Sequence, residues 1–211
     1  MRVFAVVLCV ALSGLSVLGA EKKAAAKAGA WHTLFDGKSL DGWRISENKE
    51  AVRLENGNMV LNGKRAHAFY AGKANGGSFT NFEAVAEFMT KPNANAGLFF
   101  HTEWQESGWP QVGYESQINA THKDPRKTAS IYSFHDLKEP GHKDNEWVTK
   151  RIRVEGKRVQ IWINDKQVVD WTEPKDHGRP TKKLSSGTFA FQAHDPGSVV
   201  WVRSFKVRAL N

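Results

Sequence analysis

Residues 95–117, NAGLFFHTEWQESGWPQVGYESQ, combine a histidine, carboxylates, amides and two tryptophans at alternating positions. In an extended chain, alternate side chains share a face. Gly97, Phe99, His101 and Glu103 then point one way, and Leu98, Phe100 and Thr102 the other. In VGYESQI, Glu115 and Gln117 share a face opposite Tyr114, Ser116 and Ile118. A strand packed on both faces has no use for His, Glu and Gln in alternation. A sheet with one open, ligand-facing side does. Trp104 and Trp109 lie between the two strands, in a loop with Gly108 and Pro110. Aromatic rings beside a carboxylate and amides suit a sugar, which has apolar C–H faces and many hydroxyls. Glu115 is therefore the first candidate for a catalytic or metal-binding carboxylate. Gln117 is placed beside it to bind hydroxyls, and His101, Trp109 and Trp104 are candidates for substrate contact.

A second polar alternation occurs in GTFAFQAHD (187–195), where Thr188, Ala190, Gln192 and His194 oppose Phe189, Phe191 and Ala193. His194 stands near the strand end, before Asp195-Pro196-Gly197. Imidazole exchanges protons near neutral pH, so His194 is the candidate for acid–base work, with Asp195 a turn residue. Tyr132, in the short segment SIY, is a candidate hydrogen-bond donor to substrate. The chain has no G-x-S-x-G, no phosphate loop and no nucleophilic cysteine. No His, Asp or Glu spacing is diagnostic of zinc. A Ca²⁺ or Mn²⁺ ion on oxygen ligands remains compatible with the composition, with its ligands undetermined.

The elements that must position these groups are strands. FEAVAEFM (82–89) sets Phe82, Ala84, Ala86 and Phe88 against Glu83, Val85 and Glu87, and Glu83 is expected to be solvated. WVTKRIRVEGKRVQIWIND (147–165) reads as a hairpin turning at Glu155-Gly156, with Val148, Ile152 and Val154 in pattern with Val159, Ile161 and Ile163. Asn164-Asp165 turns into QVVDW, and VVWVRSFKVRAL (199–210) closes the chain. Many short strands with regular turn signals predict an all-β sandwich or barrel. Trp31, Trp43, Trp147, Trp162 and Trp171 read as core or edge anchors. Residues 120–130, 136–146 and 172–186 are expected to be loops over one end or one face.

Met1–Ala20 carries one basic residue, an apolar run from Val3 to Leu18, and then small residues. That pattern predicts a secretory signal peptide, followed by a polar linker over 21–30 and one domain over 31–211. The protein is expected to be exported, periplasmic or extracellular, and free of the membrane after cleavage. Cys9 is the only cysteine and would leave with the leader. The net charge of +8 comes from scattered Lys and Arg. Nucleic-acid binding needs a basic stripe interleaved with aromatics, so it is not expected.

Several ordered segments carry a family likeness: LFDGKSLDGW (34–43), NANAGLFFH (93–101), GYESQI (113–118), SIY (130–132), NEWVTKRIRVEG (145–156), IND (163–165) and GTFAFQAHDPGSVVWVRSFKVR (187–208). Together they resemble the 3-keto-disaccharide hydrolase family. The resemblance implies a concanavalin A-like jelly roll of two antiparallel sheets in an exported bacterial protein. It also implies cleavage of glycosides oxidised at C3, by 1,2-elimination to a 3-keto-2-hydroxy-glucal and hydration of that product. The sequence departs from the family in that His101 stands in place of an arginine. Glu146-Trp147-Val148 replaces Glu-Trp-Asn, and Asn164-Asp165 replaces Asn-Gly. Arg203 takes the family's arginine position in the last strand, and two roles stay open for it: holding the keto oxygen or pairing with Glu87. Glu87 matches a recurrent family acid, either in the cleft or positioning Arg203.

A retaining glycosidase needs two neighbouring carboxylates. The strand Glu115-Ser116-Gln117-Ile118-Asn119 has one, which speaks against direct acid-catalysed hydrolysis. A C3 ketone makes the C2 hydrogen acidic, and a single base then suffices. The leading expectation is a 3-keto-glycoside hydrolase or lyase in which Glu115 and His194 move protons, while Gln117, His101, Tyr132 and Arg203 orient the oxidised sugar. The competing reading is a non-catalytic carbohydrate-binding module of the same fold.

Overall fold

Alternation of apolar and polar residues sorts the chain into two sheets in the computed structural model, which describes residues 28–211. The expected signal peptide and most of the linker lie outside the described residues. Ala28 and Gly29, at the end of that linker, already pair with Leu210 and Ala209. Thirteen strands follow: β1 (His32–Phe35), β2 (Trp43–Ile45), β3 (Val52–Glu55), β4 (Asn58–Leu61), β5 (Ala66–Tyr70), β6 (Phe82–Thr90), β7 (Ala96–Thr102), β8 (Tyr114–Ile118), β9 (Val148–Glu155), β10 (Arg158–Ile163), β11 (Lys166–Thr172), β12 (Thr188–Ala193) and β13 (Val200–Ala209). The larger sheet runs β11-β10-β9-β6-β13-β4-β3, with β1 also on β13, and the smaller runs β2-β5-β12-β7-β8. Every pairing between strands is antiparallel. The architecture is the jelly-roll sandwich expected from the sequence.

The inner faces meet through the residues that the alternation selects. Phe82, Ala84, Ala86 and Phe88 of β6 pack with Ile152 and Val154 of β9, Val159 and Ile161 of β10, and Phe205 and Val207 of β13. From the smaller sheet come Ala66, Ala68 and Tyr70, Leu98 and Phe100, Tyr114 and Ile118, and Phe189, Phe191 and Ala193. The other face of the smaller sheet is different. There Phe69, Phe99 and Ala190 form a small apolar patch under Trp104, and the polar residues of β8 and β12 lie beyond it.

One buried carboxylate ties the loop after β11 to this sheet. Glu173 accepts from the Tyr114 hydroxyl (2.8 Å), the Leu184 N–H and the Lys157 ammonium. Burial disfavours its charge, but Lys157, the Leu184 N–H and Tyr114 together outweigh that and hold the carboxyl below the usual range. This anchor brings residues 179–182 over the smaller sheet. Glu173→Ala leaves the Tyr114 hydroxyl and the Leu184 N–H without that partner, at a cost of roughly 2–4 kcal/mol in urea unfolding at neutral pH. Because the folded pKa lies below 4.5, wild type holds its full advantage above that pH. The gap to the variant should narrow as pH falls below 4.5, which unfolding curves across acid pH would check.

Candidate active site

The outer face of the smaller sheet holds a cavity of about 420 Å³, lined from β8 by Glu115 and Gln117 and from the end of β12 by Gln192 and His194. Loops close its sides with Trp109 and Pro110, with Tyr132 and Phe134, and with Arg179 and Lys182. Glu115 reaches over Gly97, which lies across from Gln117 in the β7–β8 ladder. A Cβ on Gly97 would lie 2.2 Å from the Glu115 Oε1, so glycine is what lets the carboxylate occupy this position. Gln192 Nε2 approaches the same oxygen at 3.4 Å. The Gln117 amide, oriented with its nitrogen toward acceptors, donates to Ala96 O (2.7 Å) and to Glu115 Oε1 (3.1 Å).

Burial pushes the Glu115 carboxyl up to about 8, against the pull of Lys182 and Lys150 and with a push from Asp124. Lys182 faces the cavity and donates to Pro110 O (2.6 Å). Burial lowers its ammonium pKa and Glu115 raises it, for a net fall. Lys150 lies behind β8, wholly buried among core residues, and donates to Ser116 O (3.1 Å) and Gln117 O (2.6 Å). Burial brings its pKa down to about 7, with Glu115 as the opposing charge. The carboxyl and the ammonium are both shifted toward neutrality, the usual consequence of burying ionisable groups.

His194 is oriented by its neighbour. Its Nδ1 lies 2.8 Å from Asp195 Oδ2, and the same carboxylate accepts from Gly197 N, Ser198 N and the Ser198 hydroxyl. Asp195 is thus a turn residue and an orienter at once. Burial opposes its charge, while His194, Ser198 and the Gly197 N–H prevail and keep the carboxyl below its ordinary range. With Nδ1 bearing the proton given to Asp195, Nε2 is left to accept or return one. The Trp109 ring lies 5.2 Å from the His194 ring at a shallow angle of 34°. Tyr132 donates to Asp124 Oδ2 (3.1 Å), and its backbone N–H bonds to Glu115 O.

A carboxylate raised toward neutrality, a carboxylate-oriented histidine, amides and tryptophan thus share one cleft. Comparison with known proteins places that cleft in a family: residues 30–208 match the model of the 3-keto-alpha-glucoside-1,2-lyase-like domain. The chain belongs to this family. No curated protein matches it. Among solved structures it is similar to a candidate glycosyl hydrolase from Parabacteroides distasonis, at 19% identity and TM-score 0.71, covering 86% of this chain and 94% of that one. It is also similar to a Bacillus subtilis protein with a galectin-like fold, at 12% identity and TM-score 0.57, covering 89% and 99%. A third is the lumenal domain of VIP36 in a Ca²⁺- and mannose-bound form, at 12% identity and TM-score 0.56, covering 83% and 88%. These likenesses show the fold, and the family model marks the domain as carbohydrate-active.

Of the residues singled out in this lyase-like domain from its sequence, Glu115, Gln117, His194, Tyr132 and Trp109 line the cleft. His101 does not. Its backbone turns to φ +54° at a register shift between β7 and β12, which breaks the alternation. The ring is buried against Phe82 and Phe100, with Nε2 2.8 Å from Thr80 O and Nδ1 accepting from Ser185 N. Arg203 and Glu87 lie on the outer face of the larger sheet, where they form a two-pronged ion pair at 3.1 Å, with Trp147 under the guanidinium. Of the two roles open to Arg203, the structure shows the pairing one. Glu83, expected to be solvated, is buried between Arg151 and Arg208.

The cleft's cations, Arg179 and Lys182, lie in a loop without periodicity and carried no sequence signal. Lys150 did carry one, as a lysine at the apolar phase of β9. As for a metal, among the described residues no three His, Cys, Asp or Glu converge. Glu115 has amides as its nearest neighbours, and Asp124 is held by Arg126 and Tyr132, a donor set that does not fit a divalent ion.

Two variants test this electrostatic picture. Glu115 gains a proton more readily folded than unfolded, so its contribution to stability is full below pH 4.5 and is lost as pH rises toward 8. Glu115→Gln should therefore melt above wild type, with a gain that grows between those limits to at most about 5 kcal/mol. Thermal unfolding across pH checks this; a variant less stable than wild type at pH 8 would contradict it. Gly97→Ala should displace the Glu115 carboxylate, and the shift would be visible as a lowered titration midpoint for that carboxyl in NMR.

Proposed function

We propose that this domain cleaves 3-keto-glycosides by elimination across C1 and C2, followed by hydration. The observation that carries the reading is Glu115, the one carboxylate among the described residues that lines the cleft, raised toward neutrality there. A base of that kind is matched to a carbon acid, and its ionised form grows as pH approaches 8.

In the proposed course, Glu115 takes the C2 proton and the electrons pass to the C3 oxygen as an enolate. Lys182, with amides nearby, supplies the positive charge that favours that oxygen. The enolate then re-forms the C3 carbonyl as C1=C2 forms and the C1–O bond breaks. His194, held by Asp195 and entering the step with a proton on Nε2, delivers that proton to the departing oxygen. Water then adds its hydroxyl to C1 and gives its proton to His194, while Glu115 returns a proton to C2, which completes a net hydrolysis and restores both groups. Gln117 and Tyr132 support the ring hydroxyls, and Trp109 offers an aromatic face to the sugar. The apolar run of residues 3–18 supports an exported protein that meets its sugar in the periplasm or outside the cell.

The test is NMR of 3-keto-trehalose in D₂O with wild type and Glu115→Gln. Glucose release with deuterium at C2, slowed at least ~100-fold in the variant, is the expected result. The wild-type kcat/KM should rise with pH toward about 8 as Glu115 ionises. Saturable sugar binding with no release would favour the carbohydrate-binding module instead.

A further inference from the structure

Three buried polar atoms without partners meet in one place beside the cleft: both ring nitrogens of His67 and Gln192 Oε1. His67 and Gln192 face each other across the β5–β12 ladder, and both sit on the cleft side of the sheet. His67 is 0% exposed and Gln192 2%. Buried polar groups in folded proteins are nearly always hydrogen-bonded, so such a cluster calls for a reason. His67 is boxed by aromatic rings, with Phe99 at 5.5 Å, Phe69 at 6.0 Å and Trp109 at 5.7 Å, the last almost perpendicular. Of these covers only Trp109 is open to solvent, at 41%.

We infer that His67 and Gln192 form the floor of a second sugar subsite, covered by the Trp109 ring and uncovered when that ring rotates. The inference deepens the proposed function, because it rests on the cleft being a sugar site, and it assigns the subsite to the sugar on the leaving side of the scissile bond. The backbone around Trp109 is fixed. Gln105 Nε2 donates to Ser107 O and Trp109 O, Gly108 N donates to Glu47 Oε1, and Lys182 donates to Pro110 O. Opening then means turning the indole away from the Arg65 guanidinium, 5.0 Å from its centroid, and from the His194 ring, with the loop kept in place. Once rotated, the indole is free to lie on the sugar's apolar face.

The chemistry of the floor selects the ligand. Burial holds His67 far below its usual pKa, at about 3, despite the Glu47 carboxylate, with Arg65 and His194 adding to the fall. A neutral imidazole offers one donor and one acceptor, and Gln192 Oε1 offers a further acceptor. The ligand must bring at least two donors and one acceptor without charge, which vicinal hydroxyls do. An anion would face two acceptors. The nearby Arg65 guanidinium is already paired with the Glu47 carboxylate at 2.9 Å, so the pair supplies no net positive charge to hold one.

The experiment titrates ¹⁵N-labelled wild type with trehalose and, separately, with methyl α-glucoside, reading the His67 ring nitrogens by long-range ¹H–¹⁵N NMR. The expected result is a shift of both nitrogens with trehalose and little with the single-ring sugar. In His67→Phe, the affinity for trehalose relative to methyl α-glucoside should fall about 10-fold, the scale of one or two lost neutral hydrogen bonds. The wild-type spectrum gives the answer even if that variant fails to fold. His67 nitrogens unmoved by saturating trehalose, or already hydrogen-bonded to solvent in the free protein, would overturn the subsite. Turnover of 3-keto-trehalose without any His67 response would overturn it while leaving the proposed reaction standing. A His67 response without turnover would support the subsite and remove the reaction.

Discussion

The central constraint in this molecule is one half-buried carboxylate on the outer face of a sheet, lining a cleft without a close counter-charge. Glu115 has no arginine against it. Its nearest groups are two amides, and its nearest cations are Lys182 and Lys150, each engaged with backbone carbonyls. An ionised carboxylate there costs free energy, and the pKa rise expresses that cost. Much of the surrounding structure follows from tolerating it. Gly97 clears the volume, Gln117 and Gln192 supply weak donors, and the Glu173 anchor brings the loop carrying Lys182 over the cleft.

The contrast with the larger sheet is instructive. Glu83 and Glu87 also sit at the polar phase of alternating strands, yet each is gripped by arginine, and their carboxyls are held below the usual range. For Glu87 the Arg203 hydrogen bond is the largest influence; for Glu83 burial is larger in size but is outweighed by Arg208 and Arg151. Tryptophans complete this surface, Trp147 on Arg203, Trp162 on Arg151 and Trp31 on Arg208. The same residue types thus build a satisfied lattice on one sheet and an unsatisfied cleft on the other. Satisfied charges rigidify a surface, whereas poorly matched ones are where proton chemistry is available.

This is also why the sequence was legible in part. The two-sheet sandwich could be read because period-two alternation is a property of single strands, and β6, β9, β10 and β12 each keep it, while β13 shifts phase once, at a bulge between Val202 and Ser204. Glu115, Gln117 and His194 were readable for the same reason, since polar groups at spacing two on an otherwise apolar strand need an open face. The failures are equally physical. His101 keeps the alternation in sequence but loses it at a positive φ, which no pattern of types discloses. Glu83 and Glu115 have equivalent positions in their strands, and only the partner from a neighbouring strand distinguishes an ion pair from a strained acid. Arg179 and Lys182 reach the cleft through a loop whose course is set by Glu173, a long-range contact with Tyr114.

Lys150 links these levels. It occupies the apolar phase of β9, where a lysine costs more than the valine or isoleucine that flanks it in pattern. Its ammonium bonds the carbonyls of Ser116 and Gln117, on the strand that carries Glu115 on its other face. A hydrophobic residue would pack the core without that penalty but would leave the two carbonyls short of a donor and the carboxylate short of a countercharge. The lysine is therefore best understood with Glu115 as one unit: each makes the burial of the other less costly, and neither is held firmly in its charged form. An acid and a base balanced in this way bring the ionisation of Glu115 toward neutral pH, which is the range in which a general base is matched to its task.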